Sequence, residues 1–333
     1  MLQGQTWIFD KQPTITASAA VGGPFEAQGP LSEDFDLLFD DLWLGQDSYE
    51  KAEKKLMEQA CDLAIQKAGM QKEDIQFYLA GDLLNQIITS SFSARTLSVP
   101  YFGLFGACST SMEGLALASL MVSSGYADRV LTATASHNGA AEKQFRYPTE
   151  YGSQKPPTAQ WTVTGAGAAV VASVGNGPRV TAATIGRVVD MGISDPFNMG
   201  AAMAPAAVDT IAAHFRDLQT SPTEYDLILT GDLGRVGLPI AAELLSKQGL
   251  ELPPDRFGDC GLMIYREDQP VQAGASGCAS SACVTYGHVL NRMRRGELKK
   301  VLIVATGALL SPLSYQQKES IPCIAHAVAI QSN

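Results

Sequence analysis

Histidine is scarce in this chain, and paired cysteine spacing is absent. Four histidines occur in 333 residues. The six cysteines, at 61, 108, 260, 278, 283 and 323, form no C-x-x-C pair. Structural zinc is therefore not expected, and cysteines set inside apolar segments fit a reducing compartment. Basic residues are in deficit: 24 Lys and Arg stand against 34 Asp and Glu, a net charge of −10. That balance argues against nucleic acid as a partner and gives no general pull toward anionic lipid. It leaves room for a local anion site, because net charge says little about one pocket. No apolar run is long enough to cross a membrane, and the opening MLQGQTWIFDKQ lacks the basic-then-apolar pattern of a signal peptide. Membrane contact is expected only through a partner protein.

Apolar residues, at 46%, and 31 glycines are what the chain has in quantity. They suffice for a large core with close backbone packing, in one large domain or two ordinary ones. Buried strands are expected at ITASAAVGG (Ile15 to Gly23), DIQFYLAG, RVLTATAS, TGAGAAVVAS, YDLILTGD and KKVLIVATGA. VTAATIGRVVD reads as a strand with an edge, and IAHAVAIQ as a closing edge or central strand. Asp47 and Glu50 suggest a capping box ahead of a helix with Leu56, Ala60, Leu63 and Ala64 on one face and Gly69 at its end. Further helices are expected at PAAVDTIAAHFRDL, LPIAAELLSKQG and SSACVTYGHVLNRMRRG, with DCGLMIY either a short helix or a strand. Alternation of strand and helix gives an α/β protein. GNGPRV is the best boundary, dividing halves at 1–175 and 176–333.

The halves repeat each other. Gly81-Asp82-Leu83 matches Gly231-Asp232-Leu233 at an offset of 150, and Cys108 matches Cys278 at 170. Each copy runs strand, GD turn, small-residue turn with cysteine, helix, glycine, strand, which favours duplication. Two such copies would pair about a pseudo-twofold axis and bring the GD and cysteine turns to a shared cleft. Cys108 opens an apolar helix, where backbone N–H groups can stabilise a thiolate or an anion. The alternative is a small buried hydrophobe.

On the cysteine turn and the repeat, the chain resembles the thiolase and ketoacyl synthase superfamily. The opening WIF, the acidic GP-L-DFD-F-DD-WLG region, GACSTSMEG, TASHNGAAEKQFRYPTEYG, QWTVTGAGA, ISDPFNMGAAMAPAA, TGDLGRVG and YGHVLNRM resemble, nearly end to end, a sporulation family within it, the stage V sporulation AD proteins of spore-forming bacteria. The resemblance implies duplicated halves in a five-layered α-β-α-β-α thiolase-like core. It implies a dipicolinic acid binder, with or without calcium, serving spore membrane transport proteins. It also implies peripheral placement on the cytoplasmic side of the forespore or spore inner membrane, and a homodimer.

The same resemblance puts Cys108 in the cleft. It sets Asp232 at or beside the place of the synthases' catalytic histidine, and Cys278 near the place of their asparagine. Thiolases use a second cysteine in a C-terminal glycine loop, and the corresponding ATGALLSPLSY has none. An aspartate, anionic near neutral pH unless strongly perturbed, cannot copy a neutral imidazole. The expectation is a fold kept for binding, with no cofactor, no metal site and no catalytic residue. The rivals are a degenerate acyltransferase using Cys108 and a pure scaffold.

For the ligand, backbone N–H groups and hydroxyls at Cys108, Ser109 and Thr110 form one candidate anchor, and Arg146 and Arg235 are candidate carboxylate grips. His137 and Asn138, at a strand end, read as a general base, a donor to the ligand or a turn-capping pair. Asp82 and Asp232 either bridge calcium or, the preferred reading, each close their own GD turn. His214 is expected on a helix surface or interface, and His288 and His326 in the core. GAGAAVV is read as strand packing rather than a nucleotide loop. NRMRRGELKK reads as a helix end or a partner-docking run, and FDLLFDDLWL as a segment over its own domain or a lid.

Overall fold

Alanine, valine and glycine dominate the strands because both sheet faces are covered. The computed structural model describes residues 1–146 and 154–332. Ten strands run in the order Phe257–Asp259, Leu227–Thr230, Lys300–Ala308, Cys323–Gln331, Arg179–Thr184, Thr14–Gly22, Gly165–Ala172, Arg129–Ser136, Phe77–Gly81, Tyr101–Gly103. Read from either end, the pattern is the same: two parallel pairs, then antiparallel ones. The two runs meet where Arg179 opposes Thr14.

Three apolar cores separate five layers. Helices Tyr49–Lys67 and Ile88–Leu97 cover one outer face, and Met199–Leu218 and Gly234–Lys247 the other. Between the half-sheets run Thr110–Ser123 and a second helix from Cys278 to Arg294, whose middle turn, Val284–Val289, is π-helical. These central helices are apolar nearly all round, as helices buried on every side must be. Ser111 and Ser281 touch, Oγ to Oγ at 2.6 Å. They share the 170-residue offset of Cys108 and Cys278, so residues matched in sequence meet in space across the axis.

Some of these expectations need correction, and others are met or narrowed to one of their alternatives. The helix at 49 is capped by Ser48, whose Oγ accepts from Lys51 N at 3.2 Å; Asp47 instead pairs with Lys51. The short hydroxyl fits an N-cap directly. Strand Arg179–Thr184 lies mid-sheet rather than at an edge, and Cys323–Gln331 is central. The helix expected from Pro205 begins at Met199 and carries Pro205 inside it. Cys260–Leu262 is one 3-10 turn. His214 is buried, not superficial, because its helix face meets the sheet: Nδ1 lies 2.7 Å from Thr184 Oγ1 and Nε2 2.7 Å from Tyr225 Oη. Burial lowers its pKa to about 3. His326 is buried and His288 pairs with Asp34 at 2.5 Å. The basic run is neutralised locally, Arg292 by Glu297 and Lys300 by Glu224. FDLLFDDLWL packs on its own half: Leu37–Leu38 pairs with the strand at 14–22, and Trp43 stacks on Tyr49 at 4.4 Å.

Close packing sets one sharp test. A Cβ at Gly114 would sit 2.2 Å from Thr132 Oγ1 in the adjoining strand. Gly114→Ala should destabilise the chain by about 1–3 kcal/mol in urea unfolding. Adding Thr132→Ala should recover part of that loss; no recovery would refute the contact.

Candidate functional site

The turn bearing Cys108 is built from its own small side chains. Gly106 N donates to Thr110 Oγ1 at 3.1 Å, Thr110 Oγ1 donates to Ala107 O at 2.7 Å, and Ser109 Oγ donates to Gly106 O at 2.6 Å. Ala107 is held at φ 48°, a left-handed conformation uncommon for alanine. A strained residue of this kind persists only where its surroundings over-determine it. Here the second half supplies the constraint. Gly307, near the end of strand Lys300–Ala308, comes so close that a Cβ there would lie 2.2 Å from Gly106 O.

This bonding corrects the expected anion anchor. The N–H groups of Ser109 and Thr110 donate to Gly106 O and Ala107 O, and both hydroxyls serve the same turn. Neither residue lines the cavity beside the turn. Their donors close the backbone, so of the three residues proposed as anchor only Cys108 reaches the cavity.

That cavity is about 540 Å³ and lies between the halves. Cys108 is at its floor, 8% exposed. Phe105, Phe145 and Phe197 give it aromatic walls, and Arg146, Thr162 and Ser276 add polar groups. Thr162 and Ser276 sit side by side because the segments Trp161–Thr162 and Ala275–Ser276 pair as parallel strands. Pro312–Gln316 forms a short helix at the rim, capped by Ser311. Arg146 ends the helix Asn138–Phe145, forms an ion pair with Glu142, and lies 5.6 Å over the Phe197 ring. Lys155 bonds the same Glu142 oxygen at 2.6 Å. Two cations thus share one carboxylate at this wall.

The other candidates fall outside the cavity. His137 caps the helix at 138: its Nδ1 accepts from Gly139 N at 3.0 Å and Ala140 N at 3.4 Å, so Nε2 carries the proton and donates to Leu42 O at 2.8 Å. Burial lowers its pKa, which keeps the ring neutral. With both nitrogens engaged, it is the turn-capping residue of the three readings. Asn138 N donates to Thr164 Oγ1 at 3.0 Å. Arg235 is exposed on the outer helix Gly234–Lys247, away from the cleft, because that helix belongs to an outer layer. Cys278 is fully buried and its Sγ donates to Ala107 O at 3.1 Å, supporting the turn from the matching position of the other half.

The two GD aspartates differ. Asp82 closes its own turn, accepting from Leu84 N at 2.9 Å and from Ser90 N and Oγ at 2.8 and 2.5 Å. Asp232 does not. It accepts from Thr306 Oγ1 at 2.7 Å and Gly277 N at 3.1 Å, on other elements, and its charge acts on the Cys108 thiol. Burial, reinforced by nearby Asp259, pushes Asp232 up to about 7. Burial, then Asp232 and Cys278, hold the Cys108 thiol well above its ordinary range. So Asp232 is perturbed enough to carry a proton near neutrality, which composition could not reveal. Among the described residues no group of three or more His, Cys, Asp or Glu gathers to hold a metal.

A family model described as Stage V sporulation protein AD matches residues 3–331. The chain belongs to the stage V sporulation protein AD family. A curated relative, Stage V sporulation protein AD of Bacillus subtilis (strain 168), is 52% identical over 327 residues, 98% of this chain and 96% of the relative. Solved structures share the thiolase-like fold. The 3-oxoacyl-[acyl-carrier-protein] synthase III from Aquifex aeolicus VF5 superposes with a TM-score of 0.60 at 15% identity, covering 96% of this chain and 99% of its own. Cerulenin-bound OleA of Xanthomonas campestris gives 0.62 at 16%, covering 99% of each chain. At such identities the likeness shows fold alone. The family is one of sporulation proteins built on a fold whose solved neighbours are enzymes.

Cavity residues missed from the sequence include Phe105, Phe145, Phe197 and Ser276. Phe197 stood in the quoted motif ISDPFNMG, but no spacing rule set it against Arg146. Asp232 yields a stability test. Its raised pKa favours the folded state at low pH, and this contribution is lost as pH rises from about 4 toward 7. Replacing it, Asp232→Asn, should flatten the decline by a few kcal/mol, about 1.4 kcal/mol per pKa unit, in denaturant titrations across that range. An unchanged slope would show that Asp232 keeps an ordinary carboxyl.

Proposed function

We propose that this chain is a non-catalytic binder of dipicolinic acid, taken free or with calcium as the ligand's own counter-ion, in the cavity above Cys108. One observation carries the reading: Arg146, backed by the Phe197 ring at 5.6 Å, shares a cavity with a cysteine whose thiol is held protonated. A planar aromatic dicarboxylate needs a cation for its carboxylates and flat apolar walls for its ring. Phe105, Phe145 and Phe197 offer the walls.

Acyl transfer needs a thiolate and a group that takes and returns its proton. Burial and a neighbouring carboxylate both disfavour the thiolate here. One feature favours the enzyme reading instead: Asp232, whose charge acts on the Cys108 thiol, is itself pushed up to about 7 by burial. Incubation with acyl-CoA and intact-mass measurement separates the two. No adduct on Cys108 is expected, and a stoichiometric acyl-enzyme that turns over would overthrow the non-catalytic reading.

Membrane transport proteins of the spore are the partners in this reading, with the chain held peripherally at the cytoplasmic face of the inner membrane. Among the described residues no helix is long and apolar enough to cross a membrane. A homodimer is part of the same proposal. Tyr101–Gly103 ends the sheet and leaves Phe102 52% exposed. For the ligand itself, calorimetry should detect dipicolinate binding that Arg146→Ala weakens at least about tenfold, the loss of one charge-assisted contact. Full affinity in that variant would move the site elsewhere, and failure of the wild type to bind would leave a scaffold role.

A further inference from the structure

The cation that faces the cavity shares its anchor with a second one behind it. Arg146 Nη1 and Lys155 Nζ both donate to one oxygen of Glu142, Oε1, the lysine at 2.6 Å. The two cations differ in what they reach. Arg146 lines the cavity, and Lys155 does not. The Lys155 side chain is only 6% exposed, and its ammonium lies 4.7 Å from the centre of the Trp161 ring. Trp161 opens the segment Trp161–Thr162, which pairs with Ala275–Ser276, and Thr162 and Ser276 both line the cavity. Lys155 therefore ties the helix Asn138–Phe145 to the strand pair that carries two of the cavity's polar groups.

Charge at this wall follows from a simple count. Arg146 and Glu142 stand four residues apart and would by themselves make a neutral pair. A neutral pair exerts little net pull on an anion. Lys155 tips the balance, because two positive charges and one negative leave one positive charge over. Among the described residues lining the cavity, Arg146 is the only charged one. Burying a lysine is costly without a partner, and Glu142 is the partner: burial lowers the Lys155 pKa, and its bond to Glu142 opposes that. Phe197 lies under Arg146 at 5.6 Å as Trp161 lies under Lys155, so each cation also has an aromatic face to rest on.

We propose that Lys155 is a positioning residue of the anion site: by taking a share of Glu142 Oε1, it keeps Arg146 from being neutralised and leaves the guanidinium charge for a carboxylate of the ligand. The inference rests on the reading of the cavity as a dipicolinate site and adds what makes its one lining cation effective. Lys155 acts through Glu142 and Arg146 and does not touch the ligand.

The test is calorimetry with dipicolinate on the full-length chain, at about pH 7, where both ligand carboxyls are ionised, with the charge of the three-residue cluster changed one step at a time. Lys155→Met keeps an apolar stem of similar length and takes the cluster from one positive charge to none; affinity should fall about fivefold to tenfold. Glu142→Gln takes it to two and should tighten binding by about the same factor. The double variant returns the count to one and should recover most of the wild-type affinity. A merely structural role for Lys155 predicts otherwise, since a second lost partner would add a second defect. Added salt separates the two further: the gap between wild type and Lys155→Met should narrow as salt rises, whereas a packing defect would persist. Unchanged affinity in Lys155→Met, or a double variant as weak as that single one, overturns the positioning role and leaves the ligand reading standing. Should Lys155→Met fail to fold in urea titrations, Glu142→Gln decides alone, and binding no tighter than wild type refutes the proposal. A wild type that binds no dipicolinate overturns both.

Discussion

One close backbone approach holds the site together. Strand Lys300–Ala308 brings Gly307 so near the Gly106 carbonyl that no side chain fits between them. The turn of the first half is thereby clamped by a strand of the second, with Ala107 in a left-handed conformation and Cys108 turned to the cavity. Cys278 supports the same turn by donating to Ala107 O. The cavity floor is thus a product of both copies and belongs to neither alone.

Electrostatics at this junction follow from burial. Asp232 and Asp259 behind Cys108 are buried, so each carboxylate there is stabilised by donors or keeps a proton. Asp82 has its donors within its own half. Asp259 takes them from Thr230 and Leu233, and Asp232 from Thr306 and Gly277. Matched positions in a duplicated chain have diverged into a turn-closing residue and a buried acid. On the cavity's other side, Arg146 and Lys155 share Glu142, which leaves positive charge near the mouth of a protein that is acidic overall.

Much of the architecture was legible because periodicity and duplication are local signals. Both-faces-buried strands such as TGAGAAVVAS announce themselves by unbroken small and branched residues, and the Ser111–Ser281 contact shows that the repeat offset was physical. The site was less legible. Ser109 and Thr110 were credible donors by type, but their hydroxyls and N–H groups close the turn. His137 was credible by position, but packing turned it to Leu42 O and the helix it caps. Phe197 carried no sign that it would lie under Arg146.

The sequence by itself determined the strand–helix alternation, the internal repeat and the position of Cys108 at the head of an apolar helix, since these depend on pattern along the chain; the layer order came with the family resemblance. Tertiary structure decided which donors were already spent, which aromatic rings met Arg146, and where Asp232 keeps its proton. Those outcomes depend on the bonding inside one turn and on segments well separated along the chain arriving at one buried junction, and burial and hydrogen-bond partners have no counterpart in residue type alone.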